Sequence, residues 1–400
     1  MRIKELKARR IVDSKNNYAV EVNVKGDEGI GIGSIGSGTS RGKYEVNDYP
    51  KRNMDFVVNY FNNNIRKKFE NVQINSFDDL DKIERVFKAE DSTLNLEKLG
   101  GNIILASEFA ILRAASKGDI WRFLSNKGKM PMLLGNCIGG GRHAINGPDF
   151  QEFLLLPKTK NFNEAVFVNN ETYKLSEIEL KKHDKSFLGT KTIENAWCPG
   201  LNNIQILDIL SKISKKISRE YKIDIRIGVD VAANSLWNGR RYQYKKFARL
   251  MQKRALNEEM QIKYIQKLIE TYELVYVEDP LNEENFEGFK ELNKGVCLIS
   301  GDDLIATNID RLINAVKEKS ISAVIIKPNQ IGSLLKTKEV VDFAKKNKIV
   351  PVISHRSNET NDDMIAHLAV GWEIPIIKTG ISGGERLAKI NELIRINESL

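Results

Sequence analysis

From about residue 200 onward the chain alternates helical patterns with short, continuously apolar runs. Six successive runs end on an ionisable residue. Residues 223–229 end at Asp230, 274–277 at Glu278, and 296–300, after Gly301, at Asp302. Residues 323–326 end at Lys327, 349–354 at His355 and Arg356, and 374–377 at Lys378. A run apolar throughout reads as a strand covered on both faces, as in a parallel sheet. Asp230 and Glu278 lie 48 residues apart, and the later intervals of 24, 25, 28 and 23 each hold one strand and one crossover helix. Repeated βα units with charged groups at the C-terminal strand ends predict an α/β fold: a (β/α)8-type barrel with its active site on that rim. A doubly wound sheet is the rival, but it gathers ligand groups at one switch point.

The first part of the chain reads differently. Residues 18–24 alternate apolar and polar, Gly26 and Gly29 mark a turn, and 54–61 and 102–112 carry the 3.6-residue period. Strands followed by helices predict a smaller α+β domain. The polar stretch 126–131, which contains Pro131, is the expected boundary, dividing a domain over 1–127 from a barrel over 128–400.

Composition narrows the function classes. Hydrophobic residues make up 41% and charged residues 29%, enough for a large core. No apolar run approaches the roughly 18 residues of a membrane span. The charged start, with Arg2, Lys4 and Glu5, lacks the apolar block of a secretory signal, so no export is expected. Cys137, Cys198 and Cys297 are widely spaced without a C-x-x-C, which offers neither a disulfide framework nor a zinc site and points to a reducing cytoplasm. The net charge of +9 suits an acidic partner or a phosphorylated substrate. Its basic residues are dispersed: 212–222 reads as a solvated helix face and 181–185 as a loop, so no dedicated nucleic-acid site is expected.

Asp230, Glu278 and Asp302 come from three consecutive strand ends. Gathered in a partly desolvated mouth, they repel by several kcal/mol unless a cation lies between them. Oxygen ligands without cysteine suit Mg²⁺. The structural alternative is that each acid caps the helix after its strand. Lys327 and Lys378 share the rim. A lysine that is desolvated or beside another cation loses its proton more readily and becomes a usable base. A Lys base with Mg²⁺ on a carboxylate fits removal of a proton α to that carboxylate, with the metal's Lewis acidity contributing most.

Gly31, Gly33 and Gly36 match G-x-G-x-x-G. A dinucleotide fingerprint needs a helix directly after it. A polar Gly/Ser loop follows instead at 37–43, which reads as a mobile lid able to reach a metal or phosphate.

Taken in order, these segments resemble the enolase family almost end to end. A-R-R-I-V-D-S at 8–14 resembles its opening, S-G-T-S-R-G at 37–42 its S-G-A-S-T-G loop, and L-G-G-N-I-I-L at 99–105 its L-G-A-N-A-I-L. E-D-P at 278–280, G-D-D-L at 301–304, K-P-N-Q-I-G at 327–332, S-H-R-S at 354–357, K-T-G at 378–380 and E-R-L-A-K at 385–389 resemble its barrel motifs. Enolase-superfamily sites are already known to pair a Lys or His base with one or two Mg²⁺ ions, so the Lys-and-metal chemistry is matched to a known pattern and is not a new one.

The resemblance implies a phosphopyruvate hydratase of glycolysis, a carbon–oxygen lyase dehydrating 2-phosphoglycerate to phosphoenolpyruvate. It implies two Mg²⁺ ions, the first on Asp230, Glu278 and Asp302 and the second, arriving with substrate, reached by Ser40. Lys327 would abstract the C2 proton and Lys378 bind the substrate carboxylate. Arg356 and Ser357 would grip the phosphate, Arg by bidentate contact. His143 and His355 would flank the leaving hydroxyl and phosphate. Gln151 belongs to the substrate-binding set beside Glu152. Glu194 would be the general acid for the 3-hydroxyl, its pKa raised by Glu152 as a like-charged neighbour. The resemblance also implies a homodimer or larger ring, while His183 and His367 read as structural.

Some positions depart from the family pattern. D-E-G-G-F-A-P is replaced by I-E-N-A-W-C-P at 193–199, so Asn195 and Ala196 stand where glycines would stiffen the loop least. Arg41 replaces a small Thr, residues 15–19 replace R-G-N-P-T, and Gly383-Gly384 replace an Arg-Ser. Altered lids over an intact rim leave an alternative: an enolase-like lyase acting on a related phosphorylated or phosphonate 2-hydroxy acid. A non-catalytic binding or scaffold protein is a further alternative, though it leaves the filled set of ionisable positions unexplained.

Overall fold

A computed structural model describes residues 1–38, 42–50, 54–246 and 255–400. The alternating segment forms the middle of a three-stranded antiparallel sheet, ordered β1 (Ile3–Val12), β2 (Tyr18–Gly26) and β3 (Ile30–Ile35). Its buried Val20, Val22 and Val24 share a core with the helix Gly101–Ala115, which is buried along nearly its whole length. Gly31 and Gly33 of the G-x-G-x-x-G stretch, together with Gly29, have a packing role there. A Cβ on Gly29, Gly31 or Gly33 would meet the carbonyl oxygens of Ala114, Ala110 and Ala106 at 2.3, 2.1 and 2.3 Å. Alanines four apart on one helix face thus lie against glycines two apart on one strand face.

The second unit is a closed barrel. Its strands are β4 (Met132–Gly139), β5 (Glu152–Lys158), β6 (Asp224–Asp230), β9 (Tyr276–Glu278), β10 (Leu298–Gly301), β11 (Ala323–Ile326), β12 (Val350–Ser354) and β13 (Ile376–Gly380). Between β6 and β9, β7 (Tyr242–Gln243) and β8 (Ala255–Leu256) pair as a separate ribbon. The regular βα repeat holds from β6 onward. It does not extend to the first two barrel strands, because β5 runs antiparallel to both β4 and β6. An antiparallel pair needs no helical crossover. The reversal also sets the position of Glu152: it opens β5, yet it lies opposite Asp230, which closes β6.

The barrel interior is filled by Leu134, Leu154, Leu156, Tyr276, Ala323, Ile325, Val352 and Ile376. Helices outside it start at Asn202, Asn257, Asn285, Asn308 and Ser333, whose side chains accept first-turn N–H groups. Cap duty therefore falls to Asn and Ser, leaving the rim acids free of it. Residues 181–183, expected in a loop, instead finish the helix Phe162–His183, where three basic side chains complement the helix dipole. His367 is buried in the helix Met364–Gly371, and His183 is exposed. Among the described residues no helix is long and apolar enough to cross a membrane.

Candidate active site

The parallel register of β6, β9 and β10 brings their acidic ends together. Asp230 pairs with Glu278, and Glu278 with Ser300, two residues before Asp302. Lys378 enters from β13. Its Nζ lies 2.8 Å from Glu278 Oε1 and 3.1 Å from both Asp230 Oδ2 and Glu152 Oε2. Burial alone would pull the Lys378 pKa down, but these three carboxylates hold it well above the ordinary lysine value. Glu278 is pushed up to about 8, by burial first and then by Asp230. Its Oε2 accepts from the Tyr276 hydroxyl at 2.7 Å, so both oxygens are oriented.

Lys327, at the end of β11, donates to Asp302. Gln330 Nε2 reaches the other oxygen of Asp302 at 3.0 Å. Burial lowers the Lys327 pKa, yet Asp302 outweighs it and the net shift is upward. That is the reverse of the sequence-based expectation, because Asp302 serves Lys327 as a direct partner. Asp279 and Asp303 join Asp302 in a cluster whose carboxylate oxygens lie within 4.8 Å of one another. Asp279 accepts from the backbone N–H groups of Asp302 and Asp303 at 3.0 and 2.7 Å.

A second cluster faces the same cleft. One oxygen each of Glu152 and Glu194 and a ring nitrogen of His143 lie within 4.8 Å of one another. Glu194 Oε1 is 3.6 Å from His143 Nδ1, and its Oε2 is 3.4 Å from His355 Nε2. The His355 Nδ1 accepts from Gly380 N at 3.3 Å, which leaves Nε2 as the protonated nitrogen facing Glu194. Burial drives the His355 pKa down to about 4. Glu152 is raised well above the carboxylate range, chiefly by burial, with Glu194 among the like charges adding to it. Burial also pushes Glu194 upward, but His143, His355 and Arg386 outweigh it and the carboxyl sits well below its ordinary value. The two carboxyls are thus pushed in opposite directions, Glu152 upward by burial and Glu194 downward by the groups that face it.

The other sequence-derived positions surround these clusters. Gln151 Nε2 donates to Asp230 Oδ2 at 3.3 Å. Arg356 follows β12, is buried, and donates to Glu45 Oε2 at 2.8 Å and Asn329 Oδ1 at 3.3 Å. Ser357 lines the cleft beside it. Lys15 is half-buried and has Glu194 among the charges acting on it. Ser40 and Arg41 lie outside the described residues. Sequence reasoning missed Glu45, Asp279, Asp303, Arg142 and Tyr276. Asp279 and Asp303 stood next to chosen residues in E-D-P and G-D-D, a usable signal, whereas nothing in the sequence ties Glu45 to Arg356.

Among the described residues, the cleft lining carries seven carboxyl side chains, Glu45, Glu152, Glu194, Asp230, Asp279, Asp302 and Asp303. Against them stand four basic ones, Arg142, Lys327, Arg356 and Lys378, a formal excess of three negative charges among the described residues. An oxygen-rich, acid-heavy, buried donor set of this kind fits a hard divalent cation.

Comparison with known proteins agrees with this geometry. Residues 3–122 match the family model "Enolase, N-terminal domain", and residues 127–400 match "Enolase, C-terminal TIM barrel domain". The chain is 39% identical over 408 residues to an enolase of Methanosphaera stadtmanae, covering 100% of this chain and 97% of that one. It is 40% identical over 408 residues to an enolase of Methanothermobacter thermautotrophicus, with the same coverage. It is 38% identical over 406 residues to an enolase of Picrophilus torridus, covering 100% and 99%.

Proposed function

The chain belongs to the enolase family, and on that premise we propose that it is a phosphopyruvate hydratase, a Mg²⁺-dependent lyase converting 2-phosphoglycerate to phosphoenolpyruvate. The observation that carries this reading is a single cleft holding buried lysines, the neighbouring carboxyls Glu152 and Glu194, and an excess of acidic groups. Asp230, Glu278 and Asp302 would hold the first ion, and Ser40 would reach the second. Bound Mg²⁺ supplies Lewis acidity that stabilises charge developing on the substrate carboxylate as C2 loses its proton.

The protein's own groups carry the proton steps. Lys327 Nζ, once relieved of Asp302, takes the proton from C2. The electron pair left on C2 forms the new double bond as the C3–oxygen bond breaks. The departing hydroxyl leaves as water, with the proton supplied from the Glu152–Glu194 pair beside His143 and His355. Lys378 pairs with the substrate carboxylate. Arg356 and Ser357 hold the phosphate, and Gln151 steadies Asp230. Residues 1–127 act as the cap and 128–400 as the catalytic barrel. A homodimer or larger ring in the cytoplasm, acting in glycolysis, completes the proposal. Val12, Tyr18, Ile30 and Ile32, all exposed on the three-stranded sheet, give such an assembly apolar surface to cover.

The test is direct. Pure protein is mixed with 2-phosphoglycerate and Mg²⁺, and the absorbance of the enol product is followed. Turnover lost with EDTA and with Lys327→Ala is the expected result. Absence of turnover by the wild type would overturn the proposal.

A further inference from the structure

Two departures from the family pattern, Asn195 and Gly383, lie 188 positions apart in sequence and meet in space. Glu194 sits on a tight turn. Thr192 N donates to Ala196 O at 2.8 Å and Asn195 N to Thr192 O at 3.0 Å, while Thr192 Oγ1 accepts from the Glu194 and Ala196 N–H groups at 3.2 Å each. Asn195 takes a φ of +63°, the left-handed conformation expected of a glycine there. Asn is among the residues that tolerate it best. Ala196 is not among the positive-φ residues, so replacing the second glycine imposes no such demand.

What the glycine lacks and Asn195 has is an amide. Its Nδ2 donates to Glu385 Oε1 at 3.1 Å, and the Tyr173 hydroxyl donates to its backbone carbonyl at 2.6 Å. Gly383 makes room for this contact. A Cβ there would stand 2.3 Å from Asn195 Nδ2 and 3.1 Å from Glu385 Oε1. The same Glu385 oxygen lies 3.6 Å from Arg386 Nε. Arg386 is fully buried, and its other nitrogens donate to Arg356 O at 2.7 Å and Ser357 O at 2.9 Å.

We propose that Asn195, Gly383 and Glu385 form a latch that positions the Glu194 turn against the Arg356–Ser357 segment. Asn195 and Glu385 are positioning residues: they act through Glu194 on one side and through Arg386 on the other. The inference rests on the proposed function only for the catalytic meaning of Glu194, since the latch itself is a contact of the free protein. It joins the two groups that must be held in register, the acid for the leaving hydroxyl and the grip on the phosphate. A misplacement of about 1 Å at such a point costs on the order of a hundredfold in rate.

The test measures hydrogen–deuterium exchange of residues 190–198 alongside kcat and KM for 2-phosphoglycerate. Asn195→Gly, Glu385→Ala, their double variant, Glu385→Gln and Gly383→Ala are compared with wild type. Asn195→Gly and Glu385→Ala should each speed exchange in the turn and lower kcat roughly ten- to a hundredfold with KM little changed. The double variant should be no worse than either single, because one contact is lost in all three. Glu385→Gln, which keeps an accepting oxygen, should remain near wild type. Gly383→Ala, which places a Cβ against the Asn195 amide at a φ of +105°, should also speed exchange in the turn. Multiplicative losses in the double variant, or Glu385→Gln failing like Glu385→Ala, would overturn the latch. So would a lower Tm with unchanged exchange at 190–198. A wild type without turnover would instead count against the proposed function, and the exchange data would still decide the latch.

Discussion

Arg356 donates to Glu45 at 2.8 Å across 311 residues of sequence, and both side chains are buried. The bond ties the arginine that follows β12 to the segment after the Gly/Ser loop. Removing one partner of a buried pair leaves the other charge uncompensated, typically at a cost of ~3–5 kcal/mol. Glu45→Ala should therefore lower stability in urea by an amount in that range. It should also raise KM for the phosphorylated substrate several-fold, because Arg356 loses its orientation. An unchanged KM in a folded Glu45→Ala protein would show that Arg356 is placed by Asn329 alone.

Lys378 is the shared countercharge of Asp230, Glu152 and Glu278. Lys378→Met would leave three buried carboxylates facing one another. In EDTA its loss of stability should be about 3–5 kcal/mol. Saturating Mg²⁺ should restore part of this, since a ligand at a hundred times its Kd adds about 2.7 kcal/mol. Thermal melts with and without Mg²⁺ check both halves. Equal melting of Lys378→Met and wild type in EDTA would rule out the countercharge role.

Glu108, on the helix Gly101–Ala115, supplies a pH signature away from the cleft. It is buried and accepts from Leu334 N at 3.0 Å, and burial followed by the neighbouring Glu84 raises its pKa well above the carboxylate range. A carboxyl raised on folding contributes stability that is complete below its unfolded value, about 4.3. That contribution is lost as pH rises through the folded value. Glu108→Gln keeps an accepting oxygen and removes the titration. Its stability relative to wild type should therefore improve steadily from about pH 4.5 upward. Denaturant melts at pH 5 and pH 8 check this, and parallel curves for the two proteins would contradict it.

How much was legible in the sequence follows from physical locality. Six barrel strands could be read because each is a short apolar run closed by a charge. β4 lacks that ending, and β5, though closed by Lys158, reverses direction, so Glu152 reaches the rim from the start of its strand and not from its end. The ionisable side chains were legible, but their charge states were not. Asp302 shifts Lys327 upward, and burial and neighbours shift Glu152 and Glu194 in opposite directions, because such outcomes depend on packing between strands far apart in the chain. Losing two glycines at 195–196 suggested a stiffened turn; the left-handed Asn195 and the space left by Gly383 resolve it.

The glycine run before the Gly/Ser segment yields a last prediction. Gly33 lies where a Cβ would stand 2.3 Å from Ala106 O and 2.5 Å from Ala110 N, both backbone atoms of a buried helix. Backbone cannot swing aside as a side-chain tip can, so Gly33→Ala must push the helix off the sheet. Overpacking of this kind costs about 1–3 kcal/mol, and a contact this short belongs at the upper end. Gly384→Ala is the control: it opens the last helix, and a Cβ there meets nothing within 4 Å, so it should be neutral. Because the helix also carries Asn102, whose amide donates to the Gly36 carbonyl at 3.2 Å, the strain should reach Gly36 as well. Gly33→Ala should thus lower both Tm and kcat. A Gly33→Ala protein as stable as Gly384→Ala would show that the run is not a packing device.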